Sequence, residues 1–397
     1  MLSEQSAATV RATLPAVGAN LDAITERFYA GMFAAHPELL RDLFNRGNQA
    51  AGTQRRALAG SIAAFATYLV EHPDDRPDAM LSRIAHKHAS LGVAPEQYKI
   101  VHEHLFAAIV EVLREAVTPE VAAAWDEVYW LMANALIALE KRLYEEAGEP
   151  VWRGWEVVER VEETADVLTF RLRPVDGGPV ADFRAGQYVS VRVQLPDGAR
   201  QIRQYSLSGA PGSALRQFCV KRVAGDAGTP AGEVSDHLHA RVREGDVVEL
   251  SAPYGDLTLA EGGADRPLLL ASAGIGVTPM IAMLAQLAQD GHSGPVTVVH
   301  GDRSPAAHAL RGEQETYAAK LPEASVHFWY EQDAPEGART GLVDLADVDV
   351  APGTRAYLCG PLPFMRMVRT QLLAKGVSAA DIHYEVFGPD LWLPQAA

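Results

Sequence analysis

The sequence predicts a multidomain α, β and α/β chain: an all-helical domain, then an antiparallel β-barrel, then a parallel α/β domain. Three observations predict it. Up to about Glu146 the chain is rich in Ala and Leu at helical spacing, as at Tyr129, Met132, Ala133, Leu136 and Leu143, with no convincing alternating strand. Gly148, Glu149 and Pro150 break that pattern, and from Trp152 short alternating runs take over: VLTFRLRPV, QYVSVRVQL and RQFCVKRV, separated by Gly and Pro turns. From Arg266 strands alternate with helices. PLLLASA precedes PMIAMLAQLAQ, VTVVHG precedes a helix near Glu313, VHFWY follows, AYLCGP precedes FMRMVRTQLLAKG, and IHYEVFG comes last. The expected domains are 1–147, 152–262 and 265–397.

With 397 residues, 48% of them hydrophobic, the chain is too long for one ordinary core. Its 35 basic and 51 acidic side chains leave a net charge of -16, which repels phosphate backbones and anionic membrane surfaces, so nucleic acid is not an expected partner. Cys219 and Cys359 each lie inside an apolar run and form no CxxC pair, which suggests neither a disulfide framework nor a zinc site and fits a reducing compartment. The start MLSEQSAATVRATL lacks the basic and apolar stretches of a signal peptide, so a cytoplasmic location is expected. Pro267 to Gln289 is uncharged and long enough to span a bilayer, but Gly274, Gly276 and Pro279 inside it read as a strand, a tight turn and a helix start. No integral membrane association is expected, and the chain is expected to be a monomer.

In the helical domain, Leu81, Ile84, His88 and Leu91 are spaced by three and four, so His88 lies on an apolar stripe and His86 falls off it. Such a histidine is either a satisfied core residue or a metal ligand. Glu140 has Leu136, Ile137, Leu143 and Tyr144 at its helical neighbour positions, so it is expected to point into the core. There it needs a buried donor, and the free N–H of an iron-ligating imidazole would serve; escape to the surface near Lys141 or Arg142 is the other reading. Tyr29 beside Phe28, Met32 and Phe33, and Gln54 one turn before Leu58, are either distal donors for a bound ligand or amphipathic edge residues.

The segments RFYAGMFAAHPEL, LFNRGNQ, TQRRALAGSIAAFA, IAHKHASLGVAPEQYKIVHEHL and NALIALEKRLY resemble the globin domain of bacterial and fungal flavohemoglobins through the whole helical part. The resemblance implies that His88 is the proximal iron ligand, supported by Tyr98 and Glu140. It implies that Tyr29 and Gln54 are the distal pair, Phe44 packs on the heme, and Lys87 is the lysine beside the proximal histidine. His86 stands where some relatives have glutamine.

RAGQYVSV followed by RQYSLS offers a cation, an aromatic face and a hydroxyl on antiparallel strands. Alternation puts Arg203 and Tyr205 on one side, with Ser206 facing away. The order GQY, RQYS, GEVSDHL and then a glycine turn resembles ferredoxin reductase-like flavin modules. In that resemblance Tyr188, Arg203, Gln204, Tyr205 and Ser206 bind FAD, while Gly232, Val234 and Ser235 open a helix toward its pyrophosphate; Asp236 is expected to point outward.

After LLLASA, Gly274-Ile275-Gly276-Val277-Thr278-Pro279 supplies two glycines for close backbone approach and a proline suited to a first helical turn. It lacks the third glycine of the dinucleotide fingerprint and by itself is equally a plain strand-to-helix turn. In the reductase family G-x-G-x-T-P is the expected form, with Cys359, Gly360 and Pro361 as its companion near the nicotinamide. The ending HYEVFGPDLW matches the flavohemoglobin ending, which implies that Glu385, Val386, Phe387, Gly388 and Pro389 approach the flavin. Asp302 suits the ribose hydroxyl of NADH, whereas Arg303 and Ser304 suit the extra phosphate of NADPH; the reading leans to NADH.

The activity implied by the resemblance is that of a nitric oxide dioxygenase. Electrons from NADH or NADPH pass through FAD to heme b, where oxygen oxidises nitric oxide to nitrate. The residues alone lead to an electron-fed, oxygen-activating heme. Two alternatives stand beside it: an oxygen-binding or redox-sensing globin kept reduced by its flavin module, and a flavin or lipid hydroperoxide reductase.

Overall fold

The computed structural model describes residues 2–225, 230–260 and 265–388. It forms two compact units, one built on the residues up to Val151 together with Arg192–Arg203, the other on Trp152–Val191 and Gln204–Phe387. No helix among the described residues is long and apolar enough to cross a membrane.

The helical part runs α1 (Glu4–Ala19), α2 (Leu21–Ala35), α3 (Pro37–Asp42), α4 (Arg46–Ala50), α5 (Thr53–Glu71), α6 (Asp78–Leu91), α7 (Pro95–Leu113) and α8 (Pro119–Ala147). Capping side chains mark the starts of α1 and α8. Ser3 caps α1 by accepting from Ser6 N–H, and Thr118 caps α8 by accepting from Val121 N–H just before Pro119 at the first helical position. Their apolar stripes meet in one core around Ile24, Phe28, Met32, Phe65, Leu81, Leu105, Trp125 and Leu136.

Arg192–Arg203 groups with these helices through a cluster of polar bonds. Gln201 Nε2 donates to the carbonyl oxygens of Leu40, Arg41 and Phe44 at 3.3, 3.0 and 3.2 Å. Arg46 pairs with Asp197 at 2.7 Å, and Arg200 N–H donates to Asp42 at 3.0 Å. Gln201 is nearly fully buried, so its bonds satisfy carbonyls at the end of α3 that would otherwise lack donors.

The second part opens with β1 (Arg153–Thr164), β2 (Val167–Pro174), β3 (Tyr188–Gln194), β4 (Arg200–Ser206), β5 (Arg216–Lys221), α9 (Glu233–Arg241) and β6 (Val247–Leu250). Its strands follow the order β4-β3-β6-β1-β2-β5, and an antiparallel bridge from Leu207 to Phe218 joins the two ends, as the expected barrel requires.

The last part contains β7 (Leu268–Ala273), α10 (Val277–Asp290), β8 (Val296–Asp302), α11 (Arg311–Ala318), β9 (Ala324–Tyr330), β10 (Arg339–Thr340), β11 (Arg355–Cys359), α12 (Leu362–Ala374) and β12 (Ile382–Glu385). The strands are parallel in the order β10-β9-β8-β7-β11-β12. The chain leaves β7 for β8 on one side and later returns to β11 on the other. That reversal opens a crevice at the carboxyl ends of β7 and β11, the place where such sheets bind ligands.

Candidate active site: a buried histidine triad and a dinucleotide crevice

In the helical unit, Glu140 of α8 is 2% exposed, turned into the core as its apolar neighbours require. Its Oε1 is engaged there by two partners. Tyr98 of α7 donates its hydroxyl to Glu140 Oε1 at 2.5 Å, and His88 Nδ1 lies 2.9 Å from the same oxygen and 2.9 Å from the Tyr98 hydroxyl. Tyr129 fixes the neighbouring backbone by donating to the Tyr98 carbonyl at 2.5 Å. Burial, and then the Glu140 charge, push the Tyr98 phenol far above its ordinary range, so it remains a donor at any physiological pH.

With Nδ1 committed, Nε2 is the histidine nitrogen left to ligate a metal. Among the described residues no group of three or more His, Cys, Asp or Glu is placed to hold a bare ion. One imidazole therefore suits an iron that brings its own equatorial ligands, as heme does.

On the stripe Leu81 is buried and Ile84, His88 and Leu91 are half-buried, and His86, off that stripe, is buried with Ala85, Ala89 and Ser90. Lys87, next to His88 in the chain, is half-buried.

Tyr29 on α2 is 5% exposed and sits in an aromatic cluster, its ring 5.6 Å from Phe33 and 5.9 Å from Phe44. Burial pushes its phenol upward, opposed by the side chains of Gln49 and Gln54 at its hydroxyl. Tyr29 and Gln54 therefore lie close together. Gln49 is an addition that the spacing did not single out; its Nε2 is buried with no well-formed hydrogen bond. Its only signal is its place in LFNRGNQ, one turn before Gln54 across the α4–α5 corner.

On the barrel, Gln204 Nε2 donates to Ser190 Oγ at 2.8 Å, and the Tyr205 ring stacks on Phe218 at 5.4 Å and 17°. Ser206 is buried, facing away from the Tyr205 side as alternation requires. Tyr188 is anchored by paired backbone bonds to Tyr254 and packed against Gly255, where any β-carbon would meet its ring at 3.1 Å. Arg203 closes the Arg192–Arg203 segment, its guanidinium donating to Gln201 Oε1 and the Ile202 carbonyl at 3.2 and 2.7 Å.

Gly232 precedes α9, Val234 is buried, and Ser235 is turned into the start of the helix. Its hydroxyl accepts from Val223 N–H at 3.2 Å and donates to the Gly232 carbonyl at 3.0 Å, so it closes the cap internally. Asp236 is at the surface, held by Arg222 at 2.6 Å.

The crevice of the parallel sheet gathers three predicted segments. Gly274 adopts φ +53, a left-handed conformation that leads β7 into the turn before α10. Ile275 bridges to that helix, Val277, Thr278 and Pro279 are buried in its first turn, and the Thr278 hydroxyl donates to the Ile275 carbonyl at 2.9 Å. A β-carbon on Gly276 would stand 2.2 Å from the Cys359 carbonyl oxygen and 2.8 Å from Gly360 N, so the turn and the Cys359-Gly360-Pro361 segment touch backbone to backbone. Glu385 pairs with Cys359 across β12 and β11, and burial, reinforced by that carboxylate, raises the Cys359 thiol. Val386, Phe387 and Gly388 follow, with Phe387 48% exposed; Pro389 lies outside the described residues.

Residues 26–136 match the globin family, 155–259 the oxidoreductase FAD-binding domain and 270–370 the oxidoreductase NAD-binding domain. The flavohemoprotein of Rhizobium meliloti is 43% identical over 407 residues, spanning 99% of this chain and 100% of its own length. That of Bordetella pertussis is 44% identical over 98% of this chain and 99% of its own. The chain belongs to the flavohemoproteins. A crystal structure of the Malassezia yamatoensis flavohemoglobin with bound FAD and heme superposes with a TM-score of 0.91 at 38% identity, covering 98% of this chain and 100% of that one. The flavohem-like FAD/NAD-binding domain of a nitric oxide dioxygenase from Vibrio cholerae matches 60% of this chain and 99% of its own length, at 40% identity and a TM-score of 0.56. As a flavohemoprotein, this oxidoreductase uses heme, FAD and a nicotinamide dinucleotide.

A second pair of histidines escaped the sequence reading because its members stand on different elements. The ring of His300, on β8, stacks on His308 at 3.9 Å, and His308 bonds Tyr330 and Gln314 at 2.8 and 3.0 Å. Burial, with the neighbouring His300, pushes His308 down to about 2. The unfolded chain therefore takes up a proton below pH 6.5 that the folded chain refuses, so this contribution to stability is complete above pH 6.5 and falls with pH below it. At pH 5 the loss is about 2 kcal/mol. Urea unfolding of the holoprotein at pH 7 and pH 5 should show it. A His308→Asn variant is expected to lose that much less between the two pH values, and an unchanged slope would contradict the assignment.

Proposed function

We propose that this flavohemoprotein is a cytoplasmic, monomeric nitric oxide dioxygenase dependent on NAD(P)H and oxygen, with globin, FAD and NAD(P) domains at 1–147, 152–262 and 265–397. When bound, the cofactors supply hydride acceptance, one-electron delivery and oxygen activation in that order. The observation that carries the reading is the buried Glu140 on His88 Nδ1. A carboxylate there gives the imidazole anionic character, which favours oxygen activation over reversible carriage.

Each residue has a part in this reading. His88 Nε2 ligates the iron. Glu140 and Tyr98 hold its ring and its Nδ1 proton without transferring it. Tyr29, kept protonated by burial, donates to the ligand side with Gln54 and Gln49 around it. Phe44 packs on the heme and Lys87 lies beside the proximal histidine. Tyr188, Arg203, Gln204, Tyr205 and Ser206, with the helix opened by Gly232, Val234 and Ser235, hold FAD. The backbone from Gly274 to Pro279 and from Cys359 to Pro361 receives the dinucleotide, and Glu385 to Pro389 approach the flavin.

Holoprotein given oxygen and NAD(P)H is expected to consume nitric oxide with matching nitrate, and His88→Ala to lose both heme and that activity. Slow consumption by heme-replete protein that still oxidises NAD(P)H would favour the sensor or reductase readings. Tyr29→Phe removes a buried donor and is expected to lower oxygen affinity about tenfold to a hundredfold. Oxygen titration of the ferrous protein measures it, and an unaltered affinity would remove Tyr29 from the ligand side.

A further inference from the structure

The end of the second strand in a dinucleotide-binding sheet is where an acidic residue reads the ribose diol of NADH or a basic one the additional phosphate of NADPH. In this chain that strand is β8, ending at Asp302. Its carboxylate is turned inward, with a side-chain exposure of 4%. One oxygen accepts from Arg303 N–H at 2.7 Å, and the other lies 3.5 Å from Nε2 of His300. His300 is itself fully buried, its Nδ1 2.8 Å from Ser272 Oγ and its ring stacked on His308. Asp302 therefore belongs to an interior network, and a ribose would have to break that network to reach it.

What this edge presents instead is positive charge. The Arg303 side chain is 62% exposed and reaches Asp166 Oδ2 at 3.3 Å; Lys221 reaches the same oxygen at 3.7 Å. Lys221 Nζ also stands 4.0 Å from where a β-carbon of Gly274 would be, at the mouth of the glycine turn. Two cations thus share one carboxylate beside the dinucleotide crevice. An exposed ion pair of this kind is weak and readily exchanged. A phosphate dianion offers the guanidinium a stronger, bidentate partner, and Lys221 continues to neutralise Asp166 when Arg303 turns to it.

We propose that Arg303, poised on Asp166 beside Lys221, selects a nicotinamide dinucleotide carrying a 2′-phosphate, so that NADPH is the preferred hydride donor. The inward turn of Asp302 reverses the lean toward NADH drawn from the sequence. The inference rests on the nicotinamide domain alone and is independent of what the heme does with oxygen.

The test is a calorimetric titration of heme- and FAD-loaded protein with 2′,5′-ADP and with 5′-AMP. The wild type is expected to bind 2′,5′-ADP about tenfold or more tightly than 5′-AMP, and the difference should shrink as salt is raised. Arg303→Ala should bring the two affinities within about twofold by weakening 2′,5′-ADP alone, while Arg303→Lys keeps part of the preference. Equal binding of the two probes by the wild type would overturn the proposal, as would an Arg303→Ala variant that keeps the preference or weakens both probes alike. Neither oxygen nor nitric oxide enters the titration, so failure here is separable from failure of the dioxygenase reading.

Discussion

Gly276→Ala is expected to slow flavin reduction by NAD(P)H about a hundredfold or more, leaving the heme absorbance per chain unchanged. The added β-carbon would sit 2.2 Å from the Cys359 carbonyl oxygen and 2.5 Å from its carbon, both backbone atoms that no rotamer can move aside. The turn and the Cys359-Gly360-Pro361 segment must then separate, and these are the two surfaces that form the crevice. Overpacking of this kind also costs about 1–3 kcal/mol of stability. Anaerobic stopped-flow mixing reads the hydride step directly. Wild-type reduction rates in Gly276→Ala would mean that the backbone contact does not shape the dinucleotide site.

The second large effect is expected at Glu140. Glu140→Gln keeps the shape of the side chain and an acceptor for His88, but removes the negative charge. Outer-shell partners of metal-ligating histidines typically matter by about tenfold to a hundredfold, and nitric oxide consumption is expected to fall by that much. The iron–histidine stretching frequency should drop with it, and the heme reduction potential should rise, changes that a merely structural role for Glu140 would not produce. Glu140→Leu goes further. It strands the Tyr98 hydroxyl and the His88 N–H in a region where Glu140 itself is 2% exposed, at a cost of about 2–5 kcal/mol. A Glu140→Gln protein with full activity and an unaltered iron–histidine stretch would break the link between the triad and oxygen activation.

The order of helical, barrel and parallel α/β parts was legible because each has its own period: three to four residues in α8, two in β2 and β3, and strand–helix alternation after Arg266. The inward turn of Glu140 was partly legible too, since its four apolar neighbours at helical spacing favoured the core over escape to the surface near Lys141 or Arg142. One of its partners was not. Tyr98 stands 42 positions away on another helix, and only the family resemblance named it.

Residues chosen by side-chain rotation were illegible for a different reason. Asp302 and Arg303 are adjacent, and sequence gives no means of telling which one faces solvent. The answer depends on His300, which the β8 alternation buries, and on Asp166, from a distant turn of the barrel. Ser235 is a similar case, its hydroxyl drawn into the α9 cap by Val223 and Gly232. The grouping of Arg192–Arg203 with the helices hangs on Gln201, whose amide reaches three carbonyls that no pattern in either segment foretells.

The most direct test of the dioxygenase account is the fate of labelled oxygen. Heme- and FAD-loaded protein would be given nitric oxide, a reduced nicotinamide dinucleotide and 18O2, and the product analysed by mass spectrometry. The account requires nitrate carrying both atoms of the dioxygen molecule, formed one for one with the nitric oxide consumed and with one electron drawn from the nicotinamide for each. Nitrous oxide, or nitrate without the label, would contradict it and leave this flavohemoprotein a reductase or sensor whose proximal carboxylate serves another end.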